Sequence, residues 1–203
     1  MASASDLIQT LSDATGVPFG TVFDIDRWLV KGNLRPVGGR RFGAAKMTPL
    51  DAARMLTAIL ASPQSNKAAE VVQRYEQTRP DKLRSSQELF AGIGLDDLAA
   101  LPARHSFVGG LAAIISSATL GSLADYVQKS KAIERTSIEV SAVTNATRAS
   151  IRVLEANVEY TTSIDGPVRS NRGKTMVVGD LNEIRQITGQ TILRIARLFK
   201  EST

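Results

Sequence analysis

Three apolar-striped segments occupy the stretch up to Leu60, separated by Gly16-Val17-Pro18 and by a loop rich in glycine and arginine. This punctuation limits the chain more than any other feature. In the first segment Leu7, Ile8 and Leu11 fall on one helical face. Ser5 is the expected cap, with Asp6 in the first turn. Gly16 supplies the turn, because it accepts positive φ without a Cβ clash. Val17 is placed for burial between two helices, and Pro18 suits a first helical position. From Phe19 to Lys31 a second helix is predicted, with Val22, Ile25, Trp28 and Leu29 inward and Gly32 as its end. Thr48, Pro49 and Asp51 form a capping box that opens a third helix. Its Leu50, Ala53, Met55, Leu56, Ile59 and Leu60 are expected to pack back on the first two.

The loop between the second and third helices has its own chemistry. Arg35, Arg40, Arg41 and Lys46 lie among Gly38, Gly39 and Gly43, and no acidic residue occurs between Asp26 and Asp51. Guanidinium groups bind phosphate bidentately, and glycines let a hairpin approach a surface closely. A basic wing beside a helix-turn-helix suits the backbone of duplex DNA. The expected contacts are Thr21, Phe23, Asp24 and Arg27 toward a major groove. Lys31, Arg35, Arg40, Arg41 and Lys46 complete the set, with Arg40 and Arg41 on phosphates or in a minor groove. Helices in this arrangement also occur as plain packing units.

The order Gly16-Val17-Pro18, Thr21-Val22, Gly32, Leu34-Arg35-Pro36, Arg41 and Thr48-Pro49-x-Asp51 resembles the winged helix domain of MerR-type regulators. The resemblance spans Gly16 to Leu60 and implies a winged helix that binds double-stranded DNA. Thr21 to Gly32 is about one helical turn longer than the family pattern. Phe23 and Asp24 stand where an aromatic pair is usual, and no heptad-patterned dimerisation helix follows.

The remaining two thirds is quieter. A chain of 203 residues, 43% hydrophobic and 22% charged, is ordinary globular material. A net charge of +5 leans toward polyanion partners. The sequence has no cysteine, which excludes disulfides, zinc–cysteine sites and thiol catalysis and fits a reducing cytoplasm. The first residues lack a signal-peptide pattern, so a cytoplasmic location is expected. The expected units are a DNA-binding domain over 1–62, a helical linker over 63–105, and an α+β oligomerisation or sensing domain over 106–203.

Within the linker, Asn66 to Gln77 reads as a helix and Arg79-Pro80-Asp81 as its break, with an apolar patch from Leu89 to Leu101. The run from Phe107 to Val127 is the most apolar, yet three glycines, several hydroxyls and Asp125 favour a buried helix over a membrane span. Its small residues suit close packing, including between subunits. From Thr136 the period changes to two, and the apolar phase slips by one after Val153, which predicts a β-meander to Ile164. Arg169, Arg172 and Lys174 lie in a loop that suits phosphate contact or, on the favoured reading, is merely solvated, and Met176 to Val178 reads as a short strand. Asp180 is the expected cap of a last helix with Leu181, Ile184, Ile187, Ile192, Ile195 and Phe199 on one face and Arg185, Arg194, Arg197 and Lys200 on the other. The predicted class is α+β: a winged helix-turn-helix, a helical middle, and a β-meander with a terminal amphipathic helix.

Signals for enzyme chemistry are weak. His105 is the sole histidine and sits in no triad or metal pattern. Asp24, Asp26, Asp96 and Asp97 read as surface charges, and neither Gly38-Gly39 nor Gly92-Ile93-Gly94 has the context of a nucleotide loop. The reading is a non-enzyme without cofactor or metal, homo-oligomeric and not membrane-bound. Two functions fit: a transcription regulator, or a phage-type packaging protein resembling a small terminase subunit. A phage structural protein is what remains if the helix-turn-helix is only a packing unit.

Overall fold

The structure is a computed structural model and describes residues 2–36, 46–81, 96–123, 125, 138–143, 147–153, 156–162 and 183–201. The expected wing, with Arg40 and Arg41, lies outside the described residues. So do most of the patch from Leu89, the loop with Arg169, Arg172 and Lys174, the strand at Met176 to Val178, and Asp180 with Leu181.

The N-terminal helices are α1 (Ala4–Thr15), α2 (Phe19–Lys31) and α3 (Pro49–Ala61). Ser3, not Ser5, caps α1. Its hydroxyl accepts from Asp6 N–H at 3.2 Å while Asp6 accepts back from Ser3 N–H at 3.1 Å. A capping box needs its acid at the third helical position, and only Ser3 stands at that spacing from Asp6. Gly16 takes the left-handed conformation (φ 73°), and Ser12 Oγ donates to Val17 O, which fixes the turn. Pro18 is the cap of α2 rather than its first residue. Thr48 and Asp51 form the expected box. Leu50, expected to pack inward, is exposed.

After α2 the left-handed residue is Asn33 (φ 57°), not Gly32. Gly32 serves close packing instead. A Cβ there would lie 2.6 Å from the Ala69 Cβ on α4 (Ala68–Glu76), which a 3₁₀ turn at Ser65–Lys67 precedes. Arg54 of α3 joins these parts: it donates to Leu34 O at 2.6 Å and to Glu76 of α4 at 2.8 Å.

The chain after α4 does not simply break. Arg79–Pro80 form a short edge strand, β1, antiparallel to Tyr160 and Thr161. A proline is tolerated there because an edge position can do without its N–H. Short α5 (Asp96–Ala99) and α6 (Phe107–Leu120) follow. The expected meander is present as β2 (Ile138–Val143), β3 (Arg148–Val153) and β4 (Ala156–Thr161). The phase slip after Val153 falls between β3 and β4, whose register pairs Val153 with Ala156. The segment expected to be one helix from Asp180 divides into β5 (Ile184–Thr188), paired to β2, and α7 (Gly189–Glu201). The antiparallel sheet has the order β1-β4-β3-β2-β5.

Ile138, Val140, Ala142, Ala149, Ile151, Val153, Val158, Tyr160 and Ile187 form the buried face of the sheet. Helix α6 is the central helix, packed against α3, α4, α5, α7 and β3. It is apolar nearly all round, as a buried helix must be. Its glycine allows close packing: a Cβ on Gly110 would lie 2.5 Å from Tyr160 Oη. Among the described residues no helix is long and apolar enough to cross a membrane. One buried cluster draws on all three expected segments. Helix α1 packs on α7, where Arg194 donates to Asp13 O at 3.1 Å and Thr191 to Ala14 O. Arg185 reaches from β5 to Ile59 O and Ser62 O at the end of α3.

Candidate nucleic-acid interface

Helix α2 follows the Gly16 turn and is packed by α1, α3, α4 and the 3₁₀ turn. Val22, Ile25, Asp26 and Leu29 are its buried stripe. Thr21, Phe23, Asp24, Arg27 and Lys31 all lie exposed, so five of the expected contact residues share one helix and face outward.

Their chemistry is mixed. Arg27 pairs with Asp24 one turn away at 3.5 Å, and the pair is well exposed, so solvent screens it and a ligand can compete for either partner. Lys31 Nζ sits 4.4 Å from the centroid of the half-buried Trp28 ring, which holds the ammonium at the C-terminal end of the face. Phe19 and Phe23 stack across one turn, centroids 6.3 Å apart and planes 13° from parallel. Neither ring belongs to the core.

Arg35 is placed differently from the expectation. Its guanidinium donates from Nη2 to Asp26 Oδ2 at 2.6 Å, and both side chains are over nine-tenths buried. Arg35 is therefore a structural cation that fixes the start of the loop, not an outward phosphate ligand. Asp26, expected on the surface, is its buried counter-ion. The residue stands at the i+4 position of Val22 and Arg35 follows nine residues on, so its place on the apolar stripe was the available signal. At the far end of the loop Met47 N–H donates to Ala2 O at 3.1 Å, and Lys46 beside it is exposed. Arg35 and Met47, on either side of the basic sequence 37–45, are thus both held.

Phe19 is the residue on this face that sequence reasoning passed over. An aromatic pair four residues apart on the polar side of a helix was its signal. Gly20 was passed over as well, and a Cβ added there would meet nothing within 4 Å.

The lone histidine builds no such face. The Pro102 carbonyl at 2.8 Å only accepts, so His105 Nδ1 carries the proton and Nε2 accepts from Tyr160 Oη at 2.8 Å. Burial lowers the His105 pKa and raises that of Tyr160, which keeps both neutral. Phe107 packs edge-on against the same Tyr160 ring. This is a satisfied polar pair between the half-buried His105 and Tyr160 of the core. Among the described residues there is no group of three acidic, histidine or cysteine side chains that could hold a metal ion.

Comparison with known proteins gives no match to a family model, to a curated protein or to a solved structure.

Proposed function

We propose that this chain binds double-stranded DNA as a transcription regulator, with α2 as the reading helix and the basic loop over 37–45 as a wing. The observation that carries the reading is the free face of α2. Thr21, Phe23, Asp24, Arg27 and Lys31 stand together in solvent on a helix that directly follows a fixed three-residue turn. A reading helix needs a rigid mount on one side and unoccupied side chains on the other. The Asp26–Arg35 pair and the Arg54 contacts support the mount. Lys31 and Lys46 are the described phosphate ligands of this reading, and Arg40 and Arg41 extend the set. A homo-oligomer matches a two-fold operator.

The test is fluorescence anisotropy of the full chain with mixed-sequence duplex DNA over a salt series. Replacing Lys31 and Lys46 together by alanine removes two counterion-releasing contacts, so the log–log salt slope shrinks by about 2. A wild-type chain that shows no salt-dependent binding refutes the reading. Light scattering of the same samples separates the roles: a dimer on DNA supports the regulator, and a large closed ring moves the function to DNA packaging.

A further inference from the structure

Phe19, Gly20 and Phe23 share a single patch at the start of α2, outside the buried core. The rings are 43% and 44% exposed and stack on each other rather than on the core. Leaving two adjacent phenylalanines this exposed forfeits close to half of their burial energy. Gly20 is the same puzzle in reverse. It lies in the helix, its φ is ordinary, and a methyl group there would touch nothing. Alanine would serve the helix better, because glycine carries the larger backbone entropy loss. A glycine that packing does not require, set beside two rings that packing does not use, leaves room for a foreign surface to come close to the backbone.

The surroundings select the surface. Lys31 and Arg27, the latter paired with Asp24, lie further along the same helix, Lys46 follows the loop, and the chain carries a net charge of +5. An apolar patch followed by cations matches a groove whose floor offers methyl groups and whose walls are phosphates. In the major groove that apolar group is the thymine 5-methyl. We infer that Phe19 and Phe23 read thymine methyl groups, and that Gly20 lets the helix backbone approach the base edges. This rests on the proposed DNA reading and adds the base class to it. The rings provide preference for thymine, and the cations provide the salt-dependent grip.

The experiment uses the full chain and three duplex polymers: alternating A·T, alternating A·U, which lacks only the methyl groups, and alternating G·C. The expected result is equal salt slopes for all three, with A·T bound more tightly than A·U by roughly 4-fold for each methyl contacted, the factor for one buried apolar carbon. Phe19→Ala and Phe23→Ala each reduce that ratio without changing the salt slope, and the double variant brings it to unity. Both side chains stand outside the core, so the circular dichroism of the variants stays that of the parent. Gly20→Ala raises Tm by roughly 1–4 °C and yet weakens binding to A·T. Equal binding of A·T and A·U by the parent overturns the inference and leaves DNA binding standing. An unchanged ratio in the phenylalanine variants, with a change of particle mass in light scattering, overturns it in favour of a contact between copies. Gly20→Ala binding as tightly as the parent overturns the close approach. Absence of salt-dependent binding to every polymer removes the inference and the proposed function together.

Discussion

Removing the carboxylate of Asp26 isolates the most heavily buried ion pair described near the candidate interface. Asp26→Ala leaves the Arg35 guanidinium with its side chain 8% exposed and its partner gone. The hydrogen bond lost is 2.6 Å long, and the remaining described contact of the guanidinium is Nη1 to Pro36 O. Water cannot reach the site well enough to replace the acid, so the cost is that of an uncompensated buried charge, about 3–5 kcal/mol. For a chain of this size that corresponds to a fall in Tm of about 6–20 °C. Substituting both partners, Asp26→Ala with Arg35→Met, removes both charges and leaves neither ion buried without its counter-ion, so the double variant costs less than either single one. Urea unfolding followed by circular dichroism gives the three free energies and the coupling between the positions. A loss under about 1 kcal/mol for Asp26→Ala, the range of exposed pairs, would falsify the buried-pair argument. If the chain binds DNA as proposed, the same double variant keeps the parental salt slope, since Arg35 is turned inward; a reduced slope returns Arg35 to the phosphate contacts.

Three further outcomes follow from the core. Tyr160→Phe removes the hydroxyl that His105 Nε2 accepts from, and its expected cost is about 1–3 kcal/mol in urea unfolding; no change would mean that water satisfies the ring. Burial holds the His105 pKa below the usual 6.5, so the unfolded chain binds the proton more readily than the folded one. This contribution to stability is whole above 6.5 and is lost as pH falls through 6.5 toward the lowered folded value; His105→Gln flattens unfolding free energy across that window, and an unaltered profile refutes the assignment. Gly110→Ala places a Cβ 2.5 Å from Tyr160 Oη and 3.3 Å from His105 Cδ2, and costs about 1–3 kcal/mol by overpacking, with a Tm equal to the parent's as the contrary result.

What could be read from sequence is what local chemistry decides. The turn at Gly16, the capping box of Thr48 and Asp51, and the alternation in β2 and β3 each depend on neighbours a few residues away. In the sequence the last strand and helix run together because Ile184, Ile187, Ile192 and Ile195 sit at spacings a helix also allows. The inward position between the first two belongs to Arg185, and its charge hid the strand's period. Only the carbonyls of Ile59 and Ser62, distant in sequence, explain why an arginine faces inward. The edge strand β1 is two residues long and takes its existence from Tyr160 and Thr161. At the candidate interface the exposed face of α2 followed from helical spacing. The division between outward cations and the inward Arg35 did not, because it depends on a partner nine residues away and on the burial of both.

The docking of α1 on α7 ties the molecule to the order in which it is made. Asp13 and its partner Arg194 are separated by 181 residues. At about 5–20 residues per second, translation places about 9–36 s between them. Throughout that interval the side of α1 destined for α7 has no cover, although the helix itself can already have formed. A ribosome stalled before Gly189 therefore releases a product whose first helix is bare on that side. A degradation system that surveys exposed apolar surface could recognise such a product, while the finished chain hides the same residues.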